Sequence, residues 1–441
     1  MKYLNYPTSV QIELTESCNH KCFYCYNSWQ LNKSKDAYMT KENSIVLSNL
    51  LYTDIKPFQI TLTGGEPLLN MPALLIFSEK LNKQSIHFSI NSNLSLFNND
   101  NLEKLLHVSD NFGILTSLPH YKKEQYEFIT NTKNLEVFYS NLNNLVKIKN
   151  IPVGINMVVN KNTLKDVYDE AKFLYENYGI KSFAATPVTP PTNTPYEYHK
   201  LTLSNEETIR LCYTLIDINK DFGMKVDILE ALPKCFLPED LINNETLNMK
   251  KRSCSAGRSG ITIDYKGNVR SCSHDTAHYG NIFENKFSDI WKVLEPFRLN
   301  EFVSEECLPC EELDSCNGGC RLYTLKENNV SNKKDSRMIG PIKIKKPVIK
   351  NSLQIEEFQK YFIKKSILFR EEDKQVYTFF NGYSETIFVN NSFKEFINTL
   401  KNTESFNLND LTKIYGKENE EQLKSMLNLL FNKKFLLKSN I

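Results

Sequence analysis

The spacing of the cysteines constrains this chain more than any other feature of its sequence. Eleven cysteines occur among 441 residues, and they are unevenly spread. Cys18, Cys22 and Cys25 fall within one short segment near the N-terminus, and four more lie between Cys307 and Cys320 inclusive. Such tight groups indicate metal ligation, since structural disulfides are rare in a reducing cytosol. The sequence therefore predicts a protein built around metal centres.

The N-terminal triad offers three thiolates on one predicted loop. Three thiolates hold three irons of a 4Fe–4S cluster and leave one iron open to a small molecule, whereas ferredoxins use four cysteines. A zinc site is the alternative, but it needs a fourth ligand, and His20 in the same loop is awkwardly placed to supply it. We therefore expect Cys18, Cys22 and Cys25 to bind a cluster with an open iron.

Short apolar runs alternate with helical patterns through the first part of the chain. The six predicted strands are Gln11–Leu14, Phe58–Thr63, Ser85–Ile90, Phe112–Thr116, Val153–Val159 and Ser182–Ala185. The helical patterns between them include Ile45–Leu51, Ala73–Leu81 and Leu164–Tyr175. This alternation predicts a parallel α/β barrel, or part of one, with functional residues at the C-terminal ends of the strands. The residues at or after those ends are Cys18, Gly64, Asn91, Ser117 and Asn160.

The cysteine triad carries a resemblance to a known family. Cys18-x3-Cys22-x2-Cys25, with the aromatic Tyr24 before its last cysteine, resembles the signature of the radical S-adenosylmethionine (radical SAM) enzymes. The resemblance implies a partial (β/α)6 TIM-type barrel that binds a 4Fe–4S cluster and SAM. It also implies that the bound SAM is cleaved to a 5′-deoxyadenosyl radical, which abstracts hydrogen from a substrate.

A second motif follows one strand later. Gly64-Gly65-Glu66-Pro67 resembles the Gly-Gly-Glu-Pro motif with which this family holds the amino group of the SAM methionine. Glycines let the backbone approach a ligand closely, and the Glu66 carboxylate is suited to pair with an ammonium group.

Further SAM contacts, among them Tyr24 of the cysteine motif, are expected by position alone. Ser117 occupies the place after the fourth strand where the family often has a serine. Asn91 and Asn160 follow the third and fifth strands. For both asparagines a turn-forming role is an equal alternative.

The segment from Cys254 onward resembles the SPASM extension of radical SAM enzymes. The family pattern is a cysteine, then Gly-x4-Cys, then Cys-x2-Cys-x5-Cys-x3-Cys, and the chain matches each part. The resemblance implies two auxiliary 4Fe–4S clusters. The first would be held by Cys254, Cys272 and Cys320, and the second by Cys307, Cys310 and Cys316.

The chain departs from the family at the end of this pattern. The family usually adds a final cysteine, and none follows Cys320. Either an iron stays open or another residue ligates it; Cys235 is a candidate for the first cluster and Asp335 for the second. A structural zinc site in the last four cysteines is the alternative. Cys212, in an apolar helical pattern, is expected to be a packed core thiol.

The last ninety residues predict a separate small domain. Three strand-like runs, Ser366–Arg370, Gln375–Phe380 and Glu385–Val389, precede three helical patterns, Ser392–Leu400, Leu408–Ile414 and Glu420–Phe431. This winged-helix-like order resembles the recognition element that binds the leader of ribosomally made precursor peptides. The leader would add a strand to Glu385–Val389. A stability or dimerisation domain is the alternative.

These patterns divide the chain into five segments. They are a radical SAM barrel at 8–190, a helical connection at 191–250, an SPASM domain at 251–330, a basic linker at 331–352 and a peptide-recognition domain at 353–441.

Charge and hydropathy exclude other classes of protein. Fifty-four basic against fifty-two acidic residues give a formal net charge of +2, which argues against a nucleic-acid binder. No apolar run reaches the length of about 18 residues that a membrane span needs, and the N-terminus lacks a signal-peptide core. We therefore expect a cytoplasmic protein.

Together these features predict a radical SAM peptide maturase. Its partners would be a precursor peptide and an electron donor such as flavodoxin or ferredoxin, with no nucleic acid and no membrane. The catalytic residue remains unassigned. A sulfatase-maturating enzyme, which oxidises cysteine or serine in a protein, is one alternative. A non-catalytic iron–sulfur or zinc protein is another.

Overall fold

The computed structural model describes residues 4–27, 37–189, 200–321, 323, 334–342, 354–372, 375–382 and 385–439. The chain divides into two compact units. The larger unit is Tyr6–Lys343, and the smaller unit is Ile344–Ile441 together with Met1–Asn5. Most of the predicted basic linker, residues 331–352, lies outside the described residues. The finer division of the larger unit into barrel, connection and SPASM segments stays a prediction.

A nine-stranded sheet is the framework of the larger unit. Its strands are β1 Ser9–Glu13, β2 Gln59–Thr63, β3 Phe88–Ser92, β4 Phe112–Ser117, β5 Val153–Val159, β6 Ser182–Pro187, β7 Lys225–Asp227, β8 Gly260–Ile263 and β9 Val269–Arg270. They lie in the order β7-β6-β5-β4-β3-β2-β1-β8-β9. Every neighbouring pair is parallel except the antiparallel β8–β9 hairpin. The predicted partial barrel of parallel strands is confirmed, with β1–β6 side by side in chain order.

Helices connect the successive strands of this sheet. The longer ones are α1 Lys41–Leu50, α2 Met71–Lys83, α3 Asn99–Val108, α4 Lys123–Thr130, α5 Leu135–Asn143, α6 Val167–Tyr178 and α7 Asn205–Phe222. α2, for example, buries an apolar stripe at helical spacing that consists of Leu74, Phe77 and Leu81, all fully buried. Short helices α8 Glu239–Ile242, α9 Phe287–Val293, α10 Glu295–Arg298 and α11 Leu313–Cys316 follow.

The β8–β9 hairpin joins the cysteine-rich segment to the barrel sheet. β8 pairs in parallel with β1, with Ser9 opposite Gly260 and Ile12 opposite Ile263. On β9, the Arg270 guanidinium forms a buried ion pair with the Glu13 carboxylate of β1. The predicted SPASM segment therefore continues the sheet of the barrel.

The smaller unit has its own core. Its strands are β10 Tyr361–Ile363, β11 Leu368–Glu371, β12 Tyr377–Phe380, β13 Thr386–Val389 and β14 Leu436–Lys438, and its helices are α12 Asn391–Lys401, α13 Leu408–Tyr415 and α14 Glu420–Asn432. Strands β11, β12 and β13 form an antiparallel sheet, and β10 pairs with β14. Phe379, Ile397, Phe406 and Leu427 are fully buried in one cluster. The three predicted strands and three predicted helices are present in that order, and the structure adds β10 before them and β14 after them.

None of the helices among the described residues combines the length and the hydrophobicity that crossing a membrane requires.

Candidate cluster and cofactor site

A cavity of about 540 Å³ opens where the parallel strands β1–β6 end. Residues at the C-terminal ends of β2, β3, β4, β5 and β6 all contribute to its wall. Its volume lies within the range of roughly 300–1,000 Å³ that is typical of cofactor and ligand sites. The position matches the expectation for a barrel of this type.

Strand alternation decides which side chains reach the cavity. Along β5, Val153, Ile155 and Met157 are buried, whereas the intervening Asn156 and Val158 are half-buried and line the cavity. Successive side chains of a strand point to opposite faces, so one set packs in the core while the other faces the ligand space.

Cys18, Cys22 and Cys25 all line this cavity. The loop that carries them is held by backbone hydrogen bonds to the end of α4, from the Lys21 amide to Thr130 and from the Phe23 amide to Ile129. The thiols are partly buried. Burial raises the pKa of Cys25 to about 11, and burial with the neighbouring Cys25 and Cys18 thiols raises the pKa of Cys22.

This donor set fits an iron–sulfur cluster. Thiolates that lie close together in a buried site repel one another, and a shared multi-iron centre removes that repulsion. No three His, Cys, Asp or Glu side chains of the described residues converge on the position of a single metal ion. His20 is buried, and its Nε2 lies 3.1 Å from Asn134 Nδ2. Burial lowers the pKa of His20 to about 4.

Gly64 and Gly65 join the loop after β2 to the cysteine loop. The Gly65 amide donates to Thr15 O (2.8 Å), and the Glu66 amide donates to Ser17 O (2.9 Å). A Cβ added to Gly65 would overlap the carbonyl oxygen of Ser17. Only glycine therefore allows the two loops to meet here.

The Glu66 side chain lies behind the cavity wall. Its carboxylate is fully buried and accepts hydrogen bonds from Ser92 Oγ (2.9 Å), the Asn93 amide (2.9 Å) and the Leu68 amide (3.2 Å). Burial raises its pKa to about 7. Neither Glu66 nor Pro67 is among the residues that line the cavity. Glu66 therefore orders the loop after β3, and its pairing with a ligand ammonium stays a prediction.

The other predicted SAM contacts divide into two groups. Tyr24, Asn91 and Ser117 line the cavity. Asn160 does not; its Oδ1 accepts the Asn162 amide (2.9 Å), which is the turn-forming alternative.

Sequence reasoning missed a polar pair on the opposite wall. Thr186 Oγ1 donates to Asn156 Oδ1 (2.8 Å), and both residues line the cavity. The signal was an asparagine at an alternate position of the otherwise apolar strand Val153–Val159.

Cys254, Cys272 and Cys320, the set predicted for the first auxiliary cluster, line the same cavity. The His274 amide donates to Cys272 Sγ (3.3 Å). Burial, with the neighbouring Cys254, raises the pKa of Cys320 to about 12. The His274 ring stacks on Tyr26 with ring centroids 4.2 Å apart.

The second predicted set, Cys307, Cys310 and Cys316, lines a separate and smaller cavity. Cys235 lines this second cavity, beside Cys307, Cys310 and Cys316 and not beside the first set, with which it was predicted to bind. Asp335 is also unsuited to its predicted role as a ligand, because Arg337 donates to both of its carboxylate oxygens (3.0 and 2.9 Å).

Known proteins resemble this chain in two regions. Residues 12–174 match the radical SAM superfamily, and residues 254–317 match the SPASM iron–sulfur cluster-binding domain. The radical SAM cyclopropyl synthase TigE of Paramaledivibacter caminithermalis is 22% identical over 335 residues, which cover 71% of this chain and 67% of that protein.

Two solved structures share the fold. SuiB of Streptococcus suis with bound S-adenosylmethionine has a TM-score of 0.62 at 18% identity, over 76% of this chain and 78% of that one. SuiB has also been solved with its precursor peptide SuiA. The structure of anSMEcpe with bound AdoMet has a TM-score of 0.60 at 20% identity, over 75% of this chain and 94% of that one.

Proposed function

We propose that this chain, a radical SAM enzyme with an SPASM iron–sulfur domain, oxidatively modifies a ribosomally made precursor peptide. The product would be a thioether, a carbon–carbon crosslink or a related oxidised residue. The observation that carries the proposal is the shared cavity. Both Cys18, Cys22 and Cys25 and the first auxiliary set line its wall.

When bound, the cluster and SAM supply reductive cleavage of the sulfonium to methionine and a 5′-deoxyadenosyl radical. The residues of this chain would position the cluster and SAM relative to each other. Cys18, Cys22 and Cys25 would hold three irons and leave one for SAM. The glycine backbone at Gly64 and Gly65 would let the methionine end of SAM approach the cavity wall closely.

The remaining wall residues suit the rest of the SAM molecule and the substrate. Hydrogen-bonding groups are available near the ends of four neighbouring strands, from Asn91 on β3, Ser117 on β4 and the Asn156–Thr186 pair on β5 and β6. Apolar side chains such as Val158 and Leu229 also line the cavity and would limit the access of water to a substrate bound there.

A peptide substrate would account for the presence of the first auxiliary set, Cys254, Cys272 and Cys320, in the same cavity as Cys18, Cys22 and Cys25. If Cys254, Cys272 and Cys320 hold an auxiliary cluster, their three thiolates would leave a fourth ligand position for a substrate thiolate, which would favour a thioether product. SuiB, with the same fold, binds a precursor peptide. We propose two auxiliary clusters and a flavodoxin or ferredoxin as the electron donor.

The smaller unit offers a place for the peptide leader. β13 is an edge of its three-stranded sheet, paired only with β12 among the described residues. Phe388 on β13 is 40% exposed. An extended leader that pairs with β13 would gain main-chain hydrogen bonds and an aromatic contact.

Sulfatase-maturating activity is the second candidate, and one residue argues against it. The resemblance places an aspartate base directly after the cysteine of Gly-x4-Cys, where this chain has Ser273. Asp275, two positions on, is buried and bonded to Ser271 Oγ, the Tyr279 hydroxyl (3.1 Å) and the Ala277 amide (3.0 Å). It holds its own loop and does not line the cavity.

The test is anaerobic reconstitution with iron and sulfide, followed by reduction, SAM and a candidate peptide encoded beside the gene. The wild type should release 5′-deoxyadenosine and change the mass of the peptide. Cys22→Ala should abolish deoxyadenosine, while Cys212→Ala, a buried thiol outside the cavity, should leave it within about twofold. Turnover in Cys22→Ala would refute the radical chemistry; deoxyadenosine without peptide modification would refute the maturase role.

A further inference from the structure

Four cysteines surround the second cavity: Cys235, Cys307, Cys310 and Cys316. All eleven cysteines are described, and none forms a disulfide. Six of the others line the large cavity, and Cys212 is fully buried in α7. Cys235 is therefore the one cysteine outside the family pattern that lies with a predicted cluster set.

The turn that carries Cys235 is fastened to the segment around Cys316. The Lys234 amide donates to Cys316 Sγ (3.3 Å), and Lys234 Nζ donates to Ser315 Oγ (2.8 Å). On the other side, Pro233 packs so closely on Gly319 that a Cβ there would lie 2.7 Å from Pro233 Cγ. Contacts on both sides of Cys316 thus fix the position of Cys235.

The surroundings of the four sulfurs suit thiolates. Backbone amides donate to Cys316 Sγ from Lys234 and to Cys310 Sγ from Ile342, each at 3.3 Å. The Cys307 thiol lies within electrostatic reach of the other three and of the Arg321 guanidinium. Amide hydrogen bonds and nearby positive charge are the features that stabilise cluster-bound cysteines.

We propose that Cys235 is the fourth ligand of an auxiliary 4Fe–4S cluster held with Cys307, Cys310 and Cys316. It takes the place of the downstream cysteine that the SPASM pattern usually has and this chain lacks. An upstream turn thereby completes the ligand set. The first auxiliary set then keeps three cysteines, with its fourth position facing the large cavity. The inference rests on the proposed auxiliary clusters.

The test counts iron and sulfide per chain in reconstituted full-length protein and records its EPR spectrum. The variants are Cys235→Ala, Cys307→Ala and the double variant, with Cys212→Ala as the matched control. The wild type should hold about twelve irons, the sum for three 4Fe–4S clusters. Cys235→Ala should fall to about eight, or to about eleven with the EPR signal of a three-iron cluster.

The double variant tests whether Cys235 is a cluster ligand or only a structural residue. If Cys235 and Cys307 serve one cluster, the double variant should lose no more than the four irons of that cluster. Iron-free Cys235→Ala should melt within a few degrees of the iron-free wild type. Wild-type iron and EPR in Cys235→Ala, or losses that add in the double variant, would overturn the assignment. A wild type with about four irons would refute the auxiliary clusters and this inference together, while its deoxyadenosine assay would still test the radical chemistry.

Discussion

Gly65 shows how one residue controls the geometry of the cysteine loop that carries Cys18, Cys22 and Cys25. Because a side chain there would overlap Ser17 O, Gly65→Ala should displace the loop that leads into Cys18. We expect at least a tenfold loss of SAM affinity and a lower iron content, measured by equilibrium binding and iron assay. Gly113→Ala is the control, since its Cβ would meet no atom closer than 3.6 Å. Equal behaviour of the two variants would contradict this role.

Glu66 should make stability depend on pH. Burial raises the pKa of its carboxyl from 4.5 to about 7, so the folded protein binds more protons than the unfolded chain between those values. Stability must therefore fall as pH rises through that window. Between pH 5 and 8 the free energy of unfolding of the apoprotein should drop by up to about 3 kcal/mol relative to Glu66→Gln.

This comparison separates two effects of the glutamine. Lost hydrogen bonds change the stability of Glu66→Gln by a constant, whereas only a titrating group changes the slope with pH. Glu79→Gln, exposed on α2, should follow the wild type over the same range. Parallel pH profiles for wild type and Glu66→Gln would show that Glu66 ionises as it does in the unfolded chain.

The sequence located the motif cysteines correctly because their spacing along the chain defines them, and their role as ligands stays a prediction. All nine motif cysteines were identified from their intervals, and each lines one of the two cavities. It failed where chain folding decides the neighbours. Cys235 reaches the second cavity through contacts of Pro233 and Lys234 with a segment some eighty residues away. No local pattern encodes that approach.

At the scale of elements, the six barrel strands and the three strands of the smaller antiparallel sheet were predicted, whereas β7, β8, β9, β10 and β14 were not. Val153–Val159 has seven alternating residues and was predicted to its exact bounds. Strands β7 and β14 have three residues each, and β8 begins with a glycine. Such segments become strands only because a partner is already in place, β1 in the case of β8.

The β8–β9 hairpin should depend on the Glu13–Arg270 ion pair. Both side chains are almost fully buried, and Arg270 Nη1 also donates to Asp275 O (3.1 Å) in the loop after Cys272. Arg270→Met would leave an unpaired buried carboxylate, which costs about 3–5 kcal/mol. We expect that loss in urea unfolding, with reduced iron content. Arg210→Met, at an exposed position on α7, should change neither the free energy of unfolding nor the iron content. An effect of Arg270→Met as small as that would contradict the role of the ion pair.

At the scale of the whole molecule, the two compact units divide between Lys343 and Ile344, within the predicted linker of residues 331–352. The N-terminal residues up to Asn5 belong to the smaller unit, and the Asn5 amide donates to Glu372 Oε2 (2.8 Å). Nothing in the sequence of the first five residues signals this, because a short segment takes its structure from whatever it contacts. The separate core of the smaller unit was foreseeable from its own complete set of strands and helices.

Separate cores predict separable activities. Deleting residues 344–441 should spare deoxyadenosine formation within about threefold, because both cysteine-lined cavities lie in the larger unit. It should weaken binding of the precursor leader at least tenfold, measured by fluorescence anisotropy.

Phe388→Asp in the intact chain should weaken leader binding as well, since it puts a charge on the edge strand β13. Ile414→Asp, an equally drastic change at an exposed position on α13, should not. If the leader binds all four proteins equally, its site lies in the larger unit and the smaller unit has another role.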